Sequence, residues 1–345
     1  MSHAQPPEAL GVRRPTLNAV AARAGVGRGT VSRVLNGSPK VSDRSRAAVE
    51  KAIAELGYVP NRAARSLATS RTDAVALVVP EAESRLFAEP YFSGIIRGAS
   101  ARLTHAGMQL LVVLARDGRK HRRLASYLTA QRVDGVLMVA VHRDDTLPDL
   151  LDELSVPTVL AGRRGDPEPL GHVRADNGGG SRSAVRHLLD RGRRTVATIT
   201  GPLDMDAART RLEGYREALR TAGVAVDEEL IEPGDFTEEG GRAAMRELLR
   251  RRPGLDAVFA ASDVMASGAV LELRAAGRRI PDDVAVVGFD DSIVARHIDP
   301  PLTSVRQPME EMGRAMADLL LDEIAGRAGR REVVLPTRLV VRESA

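Results

Sequence analysis

Between residues 16 and 36 the apolar positions fall into two short helical runs separated by a glycine. Leu17, Val20, Ala21 and Ala24 recur three and four residues apart, which places them on one face of a first helix. Thr16 stands at its N-cap, and Gly25 supplies the left-handed backbone that a sharp exit needs. Val26 fills the corner, and Val31, Val34 and Leu35 turn a second helix inward, leaving Arg28, Thr30, Ser32 and Arg33 on its other face. This is the pattern of a helix-turn-helix; a plain helical hairpin within a larger core would share the spacing. A third helix should run from a Ser42 cap to Gly57, with Ala47, Val49, Ile53, Ala54 and Leu56 forming its apolar side.

From Asp73 the period changes. The β-branched runs AVALVVP, MQLLVVL, GVLMVAV and PTVLAG alternate with helical patterns that include YFSGIIRGASARLTHAG and the stretches 124–131 and 147–154. A second set, read as starting near Val173, continues with helix SRSAVRHLLDRG, strand TVATITG, helix ARTRLEGYREALRTAG, helix EEGGRAAMRELLRR, strand DAVFAA, helix VMASGAVLELRAAG and strand DVAVVGFD. Such alternation implies parallel sheets with helices on both faces, and two successive sets imply two lobes with a cleft between them.

Composition narrows the function. At 345 residues and 43% hydrophobic content, the chain suits one small domain plus a larger bilobed one. It has no cysteine, which excludes disulfides and thiolate chemistry. No apolar run is long enough to span a membrane, and residues 1–14 look like a flexible tail without a signal-peptide core, so a cytoplasmic protein is expected. Residues 1–71 hold twelve Lys/Arg and four Asp/Glu, a net +8, while the whole chain is +4 and the remainder therefore −4. A basic block that coincides with a helix-turn-helix is the footprint of a nucleic-acid binder. The histidines show no metal-ligand spacing, and neither a Gly-x-Ser-x-Gly elbow nor a His-Glu-x-x-His motif occurs, so no catalytic residue, metal or cofactor is expected. NGGGSRS after Asp176 lacks the Lys-Ser/Thr ending of a phosphate loop, which leaves a dinucleotide-binding oxidoreductase a distant alternative.

The phrases TLNAVAARAGV, TVSRVLNGSPKVS, AIAELGYVPN and RAARSLA stand in the order and spacing of the LacI/GalR family of bacterial repressors. GPLDMDAARTRLEGY, FAASDVMASGAV, VAVVGFDDS and PPLTSVRQP extend the resemblance over the rest of the chain. The resemblance implies an all-α helix-turn-helix headpiece at 15–59, a hinge helix within 60–71, and an α/β two-lobed periplasmic-binding-protein-like (type I) effector domain at 72–345. Lobe 1 would take 72–172 and 306–329, and lobe 2 would take 173–305 and 330–345, with the last two crossings near 304–308 and 329–331. It also implies a homodimer on palindromic double-stranded operator DNA; the absence of a heptad-bearing leucine tail after Ala345 favours a dimer over a tetramer.

Candidate DNA contacts are Thr16, Arg28, Gly29, Thr30, Ser32, Arg33 and Asn36, joined by Asn61, Ala64, Arg65 and Leu67 in the hinge. Arg28 would be the one long reader, suited to guanine, because Gly27 weakens the cap and Gly29 lacks a side chain. Thr30 and Ser32 suit phosphates, and Arg33 suits either backbone or base. The stretch 61–68 is too short to be a stable helix alone, and its Leu67 would wedge between minor-groove base steps or, as a plain linker, touch the neighbouring domain.

Parallel sheets bind ligands beyond the carboxyl ends of their strands. Tyr91, Phe92, Arg211, Phe236, Ser262, Asp263 and Asp290 fall near such ends. By motif position, Arg211 and Asp290 resemble the family's main polar effector ligands, and Phe236 its stacking aromatic. An Arg fork, an Asp acceptor and an aromatic wall suit a polyhydroxylated ring. Bland alternatives remain: Asp290 capping a turn, Arg211 pairing with Glu213 or Glu217, and Asp263 opening a helix. AARAGVGRGTVSRVLNGSPKVS with GPLDMDAARTRLEGYREAL is similar to actinobacterial regulators of β-glucoside and cellobiose use. A purine or nucleoside stacked between Phe92 and Phe236, a sugar phosphate on Arg211, or a solute-binding transport component are the other readings.

Overall fold

Capping chemistry sets the first helices. In a computed structural model of the chain, which describes residues 15–35, 38–58, 71–81, 83–115, 121–129, 132–327, 329 and 331–345, the Thr16 hydroxyl accepts from the Ala19 amide at 3.2 Å. It opens α1 (Leu17–Ala24), which ends on Gly25 at φ 65°. The Val26 amide then donates back to the Ala21 carbonyl at 3.1 Å, so the chain turns sharply into α2 (Arg28–Leu35). Ser42 caps α3 (Asp43–Leu56), and Gly57 closes it at φ 60°. Val20, Val31 and Val49, one from each helix, are wholly buried together with Ala21, Val34, Ala52 and Tyr58. Arg23 on α1 pairs with Glu55 on α3. The inner stripe of α3 is Val49, Ala52, Ile53 and Leu56; Ala47 and Ala54, expected inside, are exposed because they lie on the opposite side of the helix.

The chain divides at Thr72–Asp73 into two units. The second unit opens with β1 (Ala74–Val79), α4 (Glu83–Ala88), α5 (Pro90–His105), β2 (Gln109–Leu114), α6 (His121–Thr129), β3 (Gly135–Met138), α7 (Leu147–Glu153), β4 (Thr158–Ala161) and β5 (Gly171–Ala175). It continues with α8 (Asn177–Asp190), β6 (Val196–Thr200), α9 (Asp206–Thr221), β7 (Ile231–Pro233), α10 (Glu238–Arg251), β8 (Ala257–Ala260), α11 (Asp263–Ala275), β9 (Ala285–Asp290), α12 (Ile293–His297) and β10 (Thr303–Arg306). The chain ends with α13 (Met309–Ile324), β11 (Glu332–Leu335) and β12 (Arg338–Val340). Two six-stranded sheets result, in the orders β11-β5-β4-β3-β1-β2 and β12-β10-β9-β8-β6-β7. The pairings are parallel except β10 with β12. Central β1, flanked by β2 and β3 and buried nearly throughout, accounts for its unbroken apolar run.

Sheet membership corrects two expected lobe boundaries. Val173 lies in β5, inside the first sheet between β4 and β11, so the second lobe starts only after Ala175. Strand β11 also belongs to the first sheet, and the last crossing falls at 336–337 rather than near 330. Pro336, which has no amide hydrogen, separates β11 from β12. The short edge strand β7 was not expected at all.

Helix α13 returns to the first lobe and packs tightly on α5. A side-chain carbon on Gly98 would stand 2.0 Å from the Glu310 carbonyl oxygen, and one on Gly313 would stand 2.2 Å from that of Ile95. Glycine at both places allows the two backbones to touch, which fixes the end of α5 that carries Tyr91 and Phe92. No helix among the described residues is long and apolar enough to cross a membrane.

Candidate functional site

The helix pair offers DNA a mixed face. Arg28, Gly29 and Arg33 on α2 are exposed, Thr30 and Ser32 are half-buried, and Val31 and Val34 hold the helix down. Gly27 contributes only its carbonyl, which accepts from the Thr30 amide at 2.9 Å. The space around Gly29 is open, with Arg33 Nη2 3.8 Å from where a β-carbon would sit. Thr16 is exposed with its hydroxyl engaged as the α1 cap. Asn36, Asn61, Ala64, Arg65 and Leu67 lie outside the described residues.

The second unit holds a cleft between its sheets, at the carboxyl ends of their parallel strands. Its floor is a chain of polar groups. Arg211, buried on α9, donates from Nε to Asn177 Oδ1 at 2.9 Å, from Nη1 to the Ala261 carbonyl at 2.5 Å and from Nη2 to Gln307 Oε1 at 3.4 Å. Gln307 Nε2 donates in turn to Asp290 Oδ1 at 3.1 Å. The guanidinium lies 3.7 Å above the Phe289 ring, so a cation–π contact supports it from below. Neither Glu213 nor Glu217 pairs with Arg211; Glu217 takes Arg182 instead.

Burial dominates the electrostatics here. It lowers the pKa of Arg211, which Asp290 partly offsets, and it raises Asp290 well above the ordinary carboxylate range although Arg211 pulls it down. Burial likewise raises Tyr91. A ligand whose hydroxyls donate to Asp290 would favour its ionised form against that burial.

The walls sort the remaining candidates. Tyr91 and Phe92 open α5 and meet edge to face at 5.4 Å. Phe92 is only 2% exposed and belongs to the first lobe's core, so it backs the wall more than it faces a ligand. Phe236 lines the cleft with its ring pressed against Gly201, where a β-carbon would be 2.1 Å from Cζ. Ser262 also lines it while capping α11 through the Met265 amide at 3.1 Å. Asp263 is a correction. It is fully buried and does not line the cleft; Oδ1 accepts from Ser304 Oγ at 2.5 Å and Oδ2 from the Ser292 amide at 2.7 Å. Burial pushes its pKa up to about 6 against those hydrogen bonds.

Asn177 was missed because the first crossing lies after Ala175 rather than before Val173, and Gln307 because a polar amide inside the expected crossing near 304–308 does not reveal its partner. Two ion-paired groups on the rim were missed too. Arg85 on α4 bonds Glu89 and Glu81, each at 2.6 Å, and burial raises Glu89 to about 6. Arg163, following β4, reaches Asp206 on α9 at 3.2 Å and Asp166 at 3.0 Å. Arg163 follows the carboxyl end of a strand, so the strand-end rule would have found it. Three residues of the lining, Ala140 at φ 51°, Phe236 at 67° and Asp290 at 115°, hold left-handed backbone without being glycine. Such strain gathers at sites where the surrounding structure fixes a side chain for function.

Known proteins match both units. Residues 16–61 match the model described as bacterial regulatory proteins, lacI family, and 185–345 match the periplasmic binding protein-like domain. The HTH-type transcriptional regulator CelR of Thermobifida fusca is 57% identical over 96% of this chain and 98% of its own length. A solved structure described as a transcriptional regulator CelR–cellobiose complex aligns with TM-score 0.78 at 56% identity, covering 96% of this chain and 100% of that one. A lac repressor dimer bound to operator and the anti-inducer ONPF aligns with TM-score 0.85 at 29% identity, covering 96% and 99%.

Proposed function

Because the chain belongs to the lacI family of bacterial regulatory proteins, we propose that it is a dimeric cytoplasmic repressor whose cleft binds cellobiose or a related β-glucoside, and that the sugar releases it from a palindromic operator. Its activity is regulation of transcription rather than catalysis. The observation that carries the ligand reading is the floor Asn177–Arg211–Gln307–Asp290, a run of donors and acceptors set beside aromatic walls. Hydroxyl groups on a sugar ring can both donate to Asp290 and accept from the amide and guanidinium groups. The relative whose structure holds cellobiose supports the same class of ligand.

The competing ligands suit the floor less well. A sugar phosphate would bring a second anion beside the Asp290 carboxylate, against a guanidinium already shared among Asn177, the Ala261 carbonyl and Gln307. A nucleoside stacked between Phe92 and Phe236 would need Phe92 in the open, yet that ring is buried in the core.

Dimerisation is supported by β2 at the edge of the first sheet, where Leu111, Val112 and Leu114 are more than two-fifths exposed. An apolar sheet edge of this kind invites cover from a second copy. On DNA, Arg28 reads guanine in each half-site while Thr30, Ser32 and Arg33 hold the strand, and Leu67 enters the minor groove between half-sites. The sugar acts by binding one lobe arrangement better than the other, which shifts the population away from the DNA-competent form.

The test is a gel shift on the region upstream of its own gene, with cellobiose titrated in. Binding to a palindrome as a dimer, and release by cellobiose but not by ribonucleosides or glucose 6-phosphate, are expected. Complexes that persist at saturating cellobiose, with no heat of binding in calorimetry, would overturn the ligand reading.

A further inference from the structure

Beside the cleft, outside its lining, a histidine is held between carboxylates of both lobes. His142 follows β3 in the first lobe. Its Nδ1 lies 2.7 Å from Asp204 Oδ2, on the loop between β6 and α9 of the second lobe, and its Nε2 lies 3.4 Å from Glu81 Oε1, after β1. Next to it the Arg143 amide donates to the Asp204 carbonyl at 3.0 Å. We propose that His142 and Asp204 form a latch that pins the two lobes in the arrangement described here, so that a pair of residues away from the effector sets how tightly the effector is held.

The geometry requires a charged latch. Ionised carboxylates only accept hydrogen bonds, so a ring with a carboxylate at each nitrogen must carry both protons. The hydrogen bond with Glu81, and after it that with Asp204, raise His142 to about 9 although burial opposes them. The other charged groups nearby are Arg85, which pairs with Glu81 at 2.6 Å, Asp145, which accepts from the His142 amide at 3.4 Å, and His121, which interacts with Asp145. Opening the lobes removes Asp204 and leaves Glu81, so the pinned arrangement binds the proton more tightly. The latch is therefore at full strength wherever His142 stays protonated even with the lobes open beside Glu81, and it is lost as pH rises through about 9. Arg163 with Asp206 bridges the same two lobes, but those residues line the cleft itself, so that pair is not separate from the effector site.

Two measurements test the latch on the full chain. The chain has no cysteine, so Thr104→Cys and Thr221→Cys, at exposed positions on α5 and α9, place one spin label on each lobe; dilution with unlabelled chain isolates the distance within one protomer. Without any ligand at pH 7, a narrow distance distribution is expected, and His142→Gln or Asp204→Asn should broaden it toward longer distances. Raising the pH above 9 should broaden the parent and leave His142→Gln unchanged. Identical distributions in parent and variants overturn the proposal. In the second measurement, which rests on the ligand reading above, cellobiose should bind each single variant about three- to tenfold more weakly at pH 7, with the double variant no weaker than the weaker single. Parent-like affinity, or effects that multiply, also overturn it. A parent that binds no cellobiose defeats the ligand reading alone, and the distance measurement still decides the latch.

Discussion

The two lobes of the second unit repeat one strand order and divide the work differently. Each sheet places its edge strand, its central strands and its closing strand in corresponding positions, yet the second lobe supplies the rigid polar floor and the first supplies walls and rim. On the second lobe Arg211 is buried and satisfied by three acceptors, and Asp290 is anchored through Gln307. On the first lobe the polar groups at the cleft, Arg85, Glu89 and Arg163, stand in ion pairs nearer the surface, one of which reaches across to the other lobe. The edges differ as well: β2 shows apolar side chains on both faces, whereas β7 is short and ends in Pro233. A shared topology thus fixes where a site can form and leaves its chemistry to the residues at the strand ends.

The largest break in that contrast should come from the floor. Arg211→Ala leaves Asn177, Gln307 and the Ala261 carbonyl without their donor and Asp290 without its neighbouring cation, and it should cost about 3–5 kcal/mol of stability in urea unfolding. It should also abolish the cellobiose response in the gel shift. Arg211→Lys should fail to restore that response, since a single ammonium cannot serve three acceptors in a plane. Retention of more than a tenth of the parent's affinity would mean that the floor is structural only.

Asp263 sharpens the contrast from inside the second lobe, because it supports the floor without lining the cleft. Asp263→Ala should lower stability by about 2–3 kcal/mol, as two buried donors lose their acceptor, while the folded fraction binds sugar with parent affinity. Its pKa of about 6 is above the ordinary carboxylate value. Its contribution is therefore full below the unfolded value near 4 and declines as pH rises through about 6. Asp263→Asn should flatten that part of the stability curve, measured by urea midpoints from pH 4 to 7. An unchanged slope would assign it elsewhere, with Glu89 the next group to examine.

The smallest effect belongs to the headpiece. Gly29→Ser enters open space on α2, and the exchange should raise helix stability by about 0.5 kcal/mol. Its larger consequence is for base preference, read by binding selection: the parent should show guanine at the Arg28 position, and the variant should gain a preference beside it. A parent without guanine preference would remove Arg28 as the reader.

What was legible in the chain was local. Thr16, Gly25, Ser42 and Gly57 marked helix ends because caps act within a few residues, and the β-branched runs marked strands because alternating strands and helices recur along the chain. Arg211 and Asp290 were found by strand ends and motif position, Phe236 by motif position, and the cleft gathers them. Sheet membership was not legible for β5 and β11, since a short apolar run does not reveal which strand will pair with it. Asn177 stayed hidden for the same reason, whereas Gln307 lay in the expected crossing but gave no sign of the guanidinium it meets. Asp263 misled because Ser-Asp at a helix start looks alike whether its carboxylate faces a ligand or a neighbouring loop.

The crossings also give the cleft a mechanical character. Asn177 begins where the chain first leaves the first lobe, Gln307 stands where it returns, and both hold the same guanidinium. The third crossing is tied to the first, with the Asp176 amide on the Leu335 carbonyl at 2.8 Å and Thr337 Oγ1 on the Asp176 carbonyl at 3.0 Å. A load applied at Arg211 is therefore delivered straight to the connecting strands, without passing through either hydrophobic core. The floor of the cleft and the strands that join the lobes are one piece of hardware.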